Sequence, residues 1–260
     1  MPSLSALRSR VAALPGTARL TEALAVPSAE VVAAAPPGAR HLVVSALAPT
    51  RTGAPVLAVT ATGREAEDLH AALEASLGAG AVGLFPSWET LPHERLSPRS
   101  DTVGQRLSVL RRLTHPEGGD DTHGALSVVV APVRAVLQPI SKGLGDLQPV
   151  ALQAGDDVPL EQVVESLAAA AYARTDLVER RGEFAVRGGI LDVFPPTEEH
   201  PLRLEFWGDT VEEIRWFKVA DQRSLEVAEH GLWAPPCREL LLTDAVRERA
   251  AALADQLPGA

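Results

Sequence analysis

Between residues 41 and 148, short apolar runs alternate with helix-patterned stretches. That alternation restricts the segment to an α/β fold, a parallel sheet covered by helices, because parallel strands need long crossovers and are buried on both faces. HLVVSAL is one apolar run, and PVLAVTA is another, bounded by Gly53 and Pro55 and rich enough in valine for a buried strand. Thr62 can cap the stretch that follows, GREAEDLHAALEASLG, where Ala66, Leu69, Leu73 and Leu77 recur at helical spacing before a glycine. AVGLF resumes a strand pattern. After the proline-punctuated connection FPSWETLPHERLSPRSD, Asp101 caps a helix with Val103, Leu107, Leu110 and Leu113 on one face. ALSVVVA then supplies a further buried strand.

Beyond residue 149 the pattern changes. A short strand, PVALQ, precedes a helix with Leu160, Val163, Val164 and Leu167 on one stripe, and strands then follow in close succession. Gly188-Gly189 in EFAVRGGILDVFP and Gly208-Asp209 in LRLEFWGDTVEEIRWFKV mark hairpin turns. Residues 149–236 therefore form an α+β module of their own. The first 40 residues hold weak helical patches and a Pro36-Pro37-Gly38 break, the pattern of a loosely attached lead-in. Residues 237–260 turn helical again at DAVRERAAALADQL, as the start of a further segment in a truncated chain would.

Net charge is −10, unevenly placed: residues 1–148 carry 13 acidic and 13 basic groups, whereas 149–236 carry 17 acidic and 8 basic. A nucleic-acid-binding module clusters positive charge, so a protein partner suits this second block better. One cysteine, Cys237, excludes a disulfide framework and fits a reducing, cytoplasmic setting. No signal core or membrane span is legible.

Catalytic motifs are absent. A phosphate loop would sit at the strand-to-helix turn of the first domain, and SALAPTRTGAP offers Gly53 there but no GK[ST]; no lysine precedes Lys142. The competing reading, a divergent helicase-like ATPase, needs Arg51 or Arg64 in the lysine's place, and arginine is the bulkier group. His41, His70, His93, His115, His123, His200 and His230 read as solvated or core residues without the i,i+4 carboxylate pairing of a metal site. Ser45, Ser87 and Ser97 lack a nucleophile-elbow setting. Glu183, Asp192 and Glu205 read as a solvated acidic face, and Arg95, Arg99, Arg106, Arg111 and Arg112 are the one strip a DNA backbone could use.

One constellation has the composition of an interface. On LRLEFW the period of two puts Leu202, Leu204 and Phe206 on one face and Arg203, Glu205 and Trp207 on the other; on EFAVR, Phe184 and Val186 face inward and Arg187 outward. Arginine and tryptophan dominate protein interfaces, because guanidinium binds carboxylates bidentately and tryptophan buries much area. Equally, Arg187 and Arg203 can pair with Glu183 and Glu205 across the sheet while Trp207 packs under the helix.

FPSWETLPHERLSPRSDTVGQRLSVLRRL resembles the signature of the transcription-repair coupling factor (Mfd) family, and RGEFAVRGGILDVFP with PLRLEFWGDTVEEIRWFKVADQRS resembles the module that family shares with the excision-repair protein UvrB. The resemblance runs from about residue 40 to 244. It implies a degenerate P-loop ATPase-like (RecA-like) first domain over 41–148 and a UvrB-like, UvrA-binding second domain over 149–236. Arg187 and Arg203 match the family's UvrA-contacting arginines, and Trp207 stands where members often carry phenylalanine; Arg181 and Glu205 are further candidates. UvrB itself keeps a working phosphate loop and a tyrosine-rich hairpin, whereas this chain has one tyrosine, Tyr172. For the chain alone the resemblance implies no enzyme activity and no cofactor. ATP and magnesium belong to the motor domains of full-length members, which also bind RNA polymerase and DNA.

Overall fold

A computed structural model describes residues 4–48, 54–78, 80–91, 94, 96–117 and 124–256. The chain divides into two compact units, residues 1–88 with 108–145 and residues 89–107 with 146–260. The stretch 89–107 thus groups with the later residues, as do 237–260.

In the first unit, α1 (Leu4–Ala12), α2 (Pro15–Leu24) and α3 (Arg40–Leu47) precede β1 (Val56–Thr60), α4 (Gly63–Leu77) and β2 (Val82–Leu84). They are followed by α5 (Ser100–Thr114), which begins in the second unit, then β3 (Val128–Pro132) and α6 (Val133–Leu137). The three strands form a parallel sheet in the order β1-β3-β2. Every residue of β3 is buried, as expected of a central strand covered on both faces. Val128 and Val130 join Ala66, Leu73 and Val82 in one cluster, while Val129 and Ala131 join Phe85, Val109, Leu126 and Ala135 in another. Strand alternation thus divides the core between the two faces.

HLVVSAL departs from the strand expectation and forms α3. A short apolar run fits either period, and here Val44 packs towards the α4 side of the sheet. This moves the turn where a phosphate loop was sought: SALAPTRTGAP leads from a helix to a strand, and the strand-to-helix turn lies at residues 60–63. The helices of the lead-in are not loose, since α1 contacts α3 and α4 and α2 contacts α3. Thr62 caps α4 as its chemistry predicts, within a capping box: its hydroxyl accepts from Glu65 N at 3.2 Å and the Glu65 carboxylate accepts from Thr62 N at 3.3 Å. Asp101 lies inside the first turn of α5 instead of capping it, and on that helix Val103 and Leu107 are buried while Leu113 is exposed.

The second unit contains β4 (Val150–Leu152), α7 (Leu160–Ala169), β5 (Ala173–Arg174), β6 (Glu183–Arg187), β7 (Ile190–Val193), β8 (Leu202–Trp207), β9 (Thr210–Phe217), β10 (Ser224–Val227), β11 (Leu232–Ala234) and α8 (Asp244–Leu253). Six strands order as β10-β9-β8-β7-β6-β5, antiparallel except for β5 beside β6, and β4 pairs separately with β11. Two-residue turns join β6 to β7 at Gly188-Gly189 and β8 to β9 at Gly208-Asp209; Gly188 (φ 60°) and Gly208 (φ 61°) take the positive-φ first position that a hairpin of this kind demands. One sheet face meets α7. There Val163 and Leu167 cluster with Phe184, Leu191, Val193, Leu202, Leu204, Val211 and Ile214. The opposite face carries a smaller cluster of Val178, Ala185, Phe194 and Phe217 beside the charged side chains of Arg187, Asp192, Arg203, Glu205, Glu213 and Arg215. Among the described residues no helix is long and apolar enough to cross a membrane.

Candidate functional site

The strand register converts the polar side of the second unit's sheet into two transverse rows. Ala185, Asp192, Arg203 and Arg215 stand side by side in one, and Arg187, Ile190, Glu205 and Glu213 in the next. Trp207 ends β8 one step beyond, opposite Thr210 and beside the glycine turn. Trp207 is 78% exposed, so it does not pack under the helix.

Neither arginine takes the glutamate partner that sequence proximity offers. Both converge on Asp192, whose side chain is 1% exposed: Arg187 Nη2 donates to Oδ2 at 2.6 Å, and Arg203 donates from Nε to Oδ1 at 2.7 Å and from Nη2 to Oδ2 at 2.8 Å. Arg203 Nη1 also reaches Gln222 O at 3.2 Å, and the guanidinium stands over the Phe217 ring, 4.7 Å from its centroid. Hydrogen bonds to Asp192 push the Arg203 pKa further up despite its desolvation. Glu183 instead accepts from Glu179 N and Arg180 N, closing the loop before β6.

The two arginines therefore differ. Arg203 is 15% exposed and tied at all three nitrogens, whereas Arg187 is 48% exposed and, among the described residues, engaged only through Nη2. Arg181 is not drawn into the cluster: its Nε donates to Glu198 O at 2.9 Å and its guanidinium lies 5.0 Å from the Phe194 centroid. Glu205 is exposed and stands opposite Glu213 on β9, where Arg215 grips the Glu213 carboxylate at 2.6 and 2.8 Å and holds its pKa low. Spacing alone did not single out Arg174, which with Thr175, Asp176, Val186 and Arg187 lines an open hollow of about 590 Å³ at the sheet edge. Its only sequence signal was a lone basic residue after a short apolar stretch.

Chemically, the face offers three guanidiniums (Arg187, Arg203, Arg215) balanced by three carboxylates (Asp192, Glu205, Glu213), with an exposed indole beside them. Balanced charge around an aromatic anchor suits a protein surface; a phosphate backbone calls for excess positive charge. The arginine strip considered for DNA does not assemble. Arg106 is fully buried and ion-paired with Glu239 at 2.6 Å, and Arg112 is buried with its guanidinium on the Gly80 and Gly124 carbonyls.

His70 does stand four residues before a carboxylate, with Nδ1 3.6 Å from Glu74 Oε2, but no group of three or more His, Cys, Asp or Glu gathers among the described residues. An open hollow of about 1020 Å³ in the first unit is lined by Arg40, His41, Thr60, Glu65 and Asp68. Three amides at its α4 rim have partners of their own: Glu65 accepts from Ala61 N and Thr62 N, and Thr62 accepts from Glu65 N. Arg64 is exposed on the first turn of α4. Arg51, Gly53, His93, Arg95 and His123 lie outside the described residues.

The UvrB interaction domain family model matches residues 150–235, the stretch that carries this face. The chain is similar to the transcription-repair-coupling factor of Mycobacterium tuberculosis (strain CDC 1551 / Oshkosh), with 57% identity over 89% of the chain and 18% of that protein. It is similar to the Bacillus subtilis (strain 168) factor at 33% identity over 82% of the chain and 17% of the relative. A UvrABC system protein B from Lactococcus lactis subsp. lactis matches at 27% identity over 80% of the chain and 31% of that protein. The chain thus spans less than a fifth of the coupling factors it matches.

Proposed function

Because this chain belongs to the transcription-repair-coupling factor family, as its UvrB-like N-terminal region, we propose that it is a docking module that recruits the excision-repair protein UvrA for transcription-coupled repair. The docking surface is the polar face of the six-stranded sheet, with Arg187, Arg203 and Trp207 at its centre and Arg181 and Glu205 beside them. One observation carries this reading: within the UvrB interaction domain match, Trp207, 78% exposed, and the half-exposed Arg187 lie on one polar sheet face, one transverse row apart. Exposed aromatic and arginine side chains are the residues that anchor interfaces.

The first unit is a RecA-like domain that has lost its phosphate loop. No lysine stands in the turn at 60–63, and Glu65 occupies amides there that an anion would need. The chain alone has no ATPase; ATP, magnesium, DNA and RNA polymerase engage other parts of the full-length coupling factor in the cytoplasm.

A titration against purified UvrA tests this proposal. The wild-type chain binds, and Arg187→Ala and Arg203→Ala each weaken binding by at least about 1.4 kcal/mol, a factor of ten, at matched fold stability. Binding untouched by either substitution moves the site elsewhere, and DNA-stimulated ATP turnover by the purified chain contradicts the loss of nucleotide chemistry.

A further inference from the structure

We propose that Asp192 is the positioning residue of this surface, and that Arg203 acts through it to hold Arg187 in place. The inference rests on the UvrA-docking reading and assigns roles within it. A carboxylate 1% exposed has no access to an incoming protein, yet it holds both arginines. Arg203 takes it in a two-pronged grip, is tied again to Gln222 O, and stands over the Phe217 ring. These contacts fix the carboxylate plane, because a bidentate arginine-carboxylate pair has one preferred geometry.

Oδ2 is shared between the two arginines, so the rigid Arg203–Asp192 pair offers a fixed acceptor to Arg187 Nη2. The consequence is a pre-ordered guanidinium. Tethered through one Nη2 hydrogen and half-exposed, Arg187 keeps its Nη1 hydrogens and the second Nη2 hydrogen beside them for a partner carboxylate. A long side chain held in its bound rotamer loses less freedom on association than one swinging in solvent. Register explains why this works: Asp192 lies directly opposite Arg203 on β8, and Arg187 lies one row away across the β6–β7 hairpin.

A double-mutant cycle on UvrA binding separates positioning through Arg187 from general structural support. Asp192→Asn keeps the side-chain size and removes the charge; it weakens binding at least about tenfold in the wild-type background. In the Arg187→Ala background it adds less than about a further twofold loss. An equal loss in both backgrounds overturns the assignment. Arg203→Lys, which keeps the charge but not the two-pronged grip, follows the same pattern and serves where Asp192→Asn unfolds.

Nuclear magnetic resonance of the free chain reads the same point without UvrA. Rotation about the Arg187 Cζ–Nε bond is slowed in wild type and fast in both variants. Should wild type fail to bind UvrA, the docking reading falls while this resonance still decides the brace. Fast Arg187 rotation in wild type overturns it.

Discussion

Leu204→Ala destabilises the second unit by about 2–5 kcal/mol, the range for deleting a well-packed leucine from a core. Leu204 is fully buried at the middle of β8, directly between Leu191 on β7 and Ile214 on β9, both also buried. All three belong to the cluster that Val163 and Leu167 of α7 complete. The lost side chain leaves a hole that neighbouring strands cannot close without breaking their register, so the transfer and cavity terms add. Chemical denaturation followed by tryptophan fluorescence measures the change. A loss under about 1 kcal/mol would mean that the inner face of β8 is not the core of this unit.

Trp207→Ala has the opposite profile. At 78% exposure on the end of β8, Trp207 contributes little to folding, and truncation shifts stability by no more than about 0.5 kcal/mol. Affinity for UvrA falls by about 2 kcal/mol or more, because a large exposed aromatic that becomes buried on docking is a typical hot spot. Calorimetric titration beside a thermal melt separates the two effects. Unchanged affinity with an unchanged melt would remove Trp207 from the interface.

The period of two on LRLEFW was sufficient to divide Leu202, Leu204 and Phe206 from Arg203, Glu205 and Trp207, because burial on one face of a sheet imposes that alternation directly. The hairpins at Gly188 and Gly208 were equally legible, since few residues tolerate the backbone conformation those turns need. HLVVSAL was not: an apolar run of seven residues satisfies a strand or a buried helix, and packing decides.

The partner of the two arginines was hidden for a different reason. Asp192 comes to lie opposite Arg203 only through the pairing of β7 with β8, which sequence spacing does not specify. Glu183 and Glu205, nearer in sequence, serve a loop and a neighbouring row. Arg106 shows the same limit in another setting. A basic residue on an amphipathic helix reads as solvated, yet this one is buried because Glu239, 133 positions away, meets it.

Competition for UvrA tests the docking account most directly. Labelled UvrB bound to UvrA is challenged with the unlabelled chain, wild type beside the Arg187→Ala/Trp207→Ala double variant. On the proposed reading the chain and UvrB compete for one surface of UvrA, so the wild-type chain displaces UvrB and the double variant, folded to the same stability, does not. Failure of the wild-type chain to displace UvrB, or equal displacement by both proteins, would contradict the assignment of this sheet face as the UvrA-docking site.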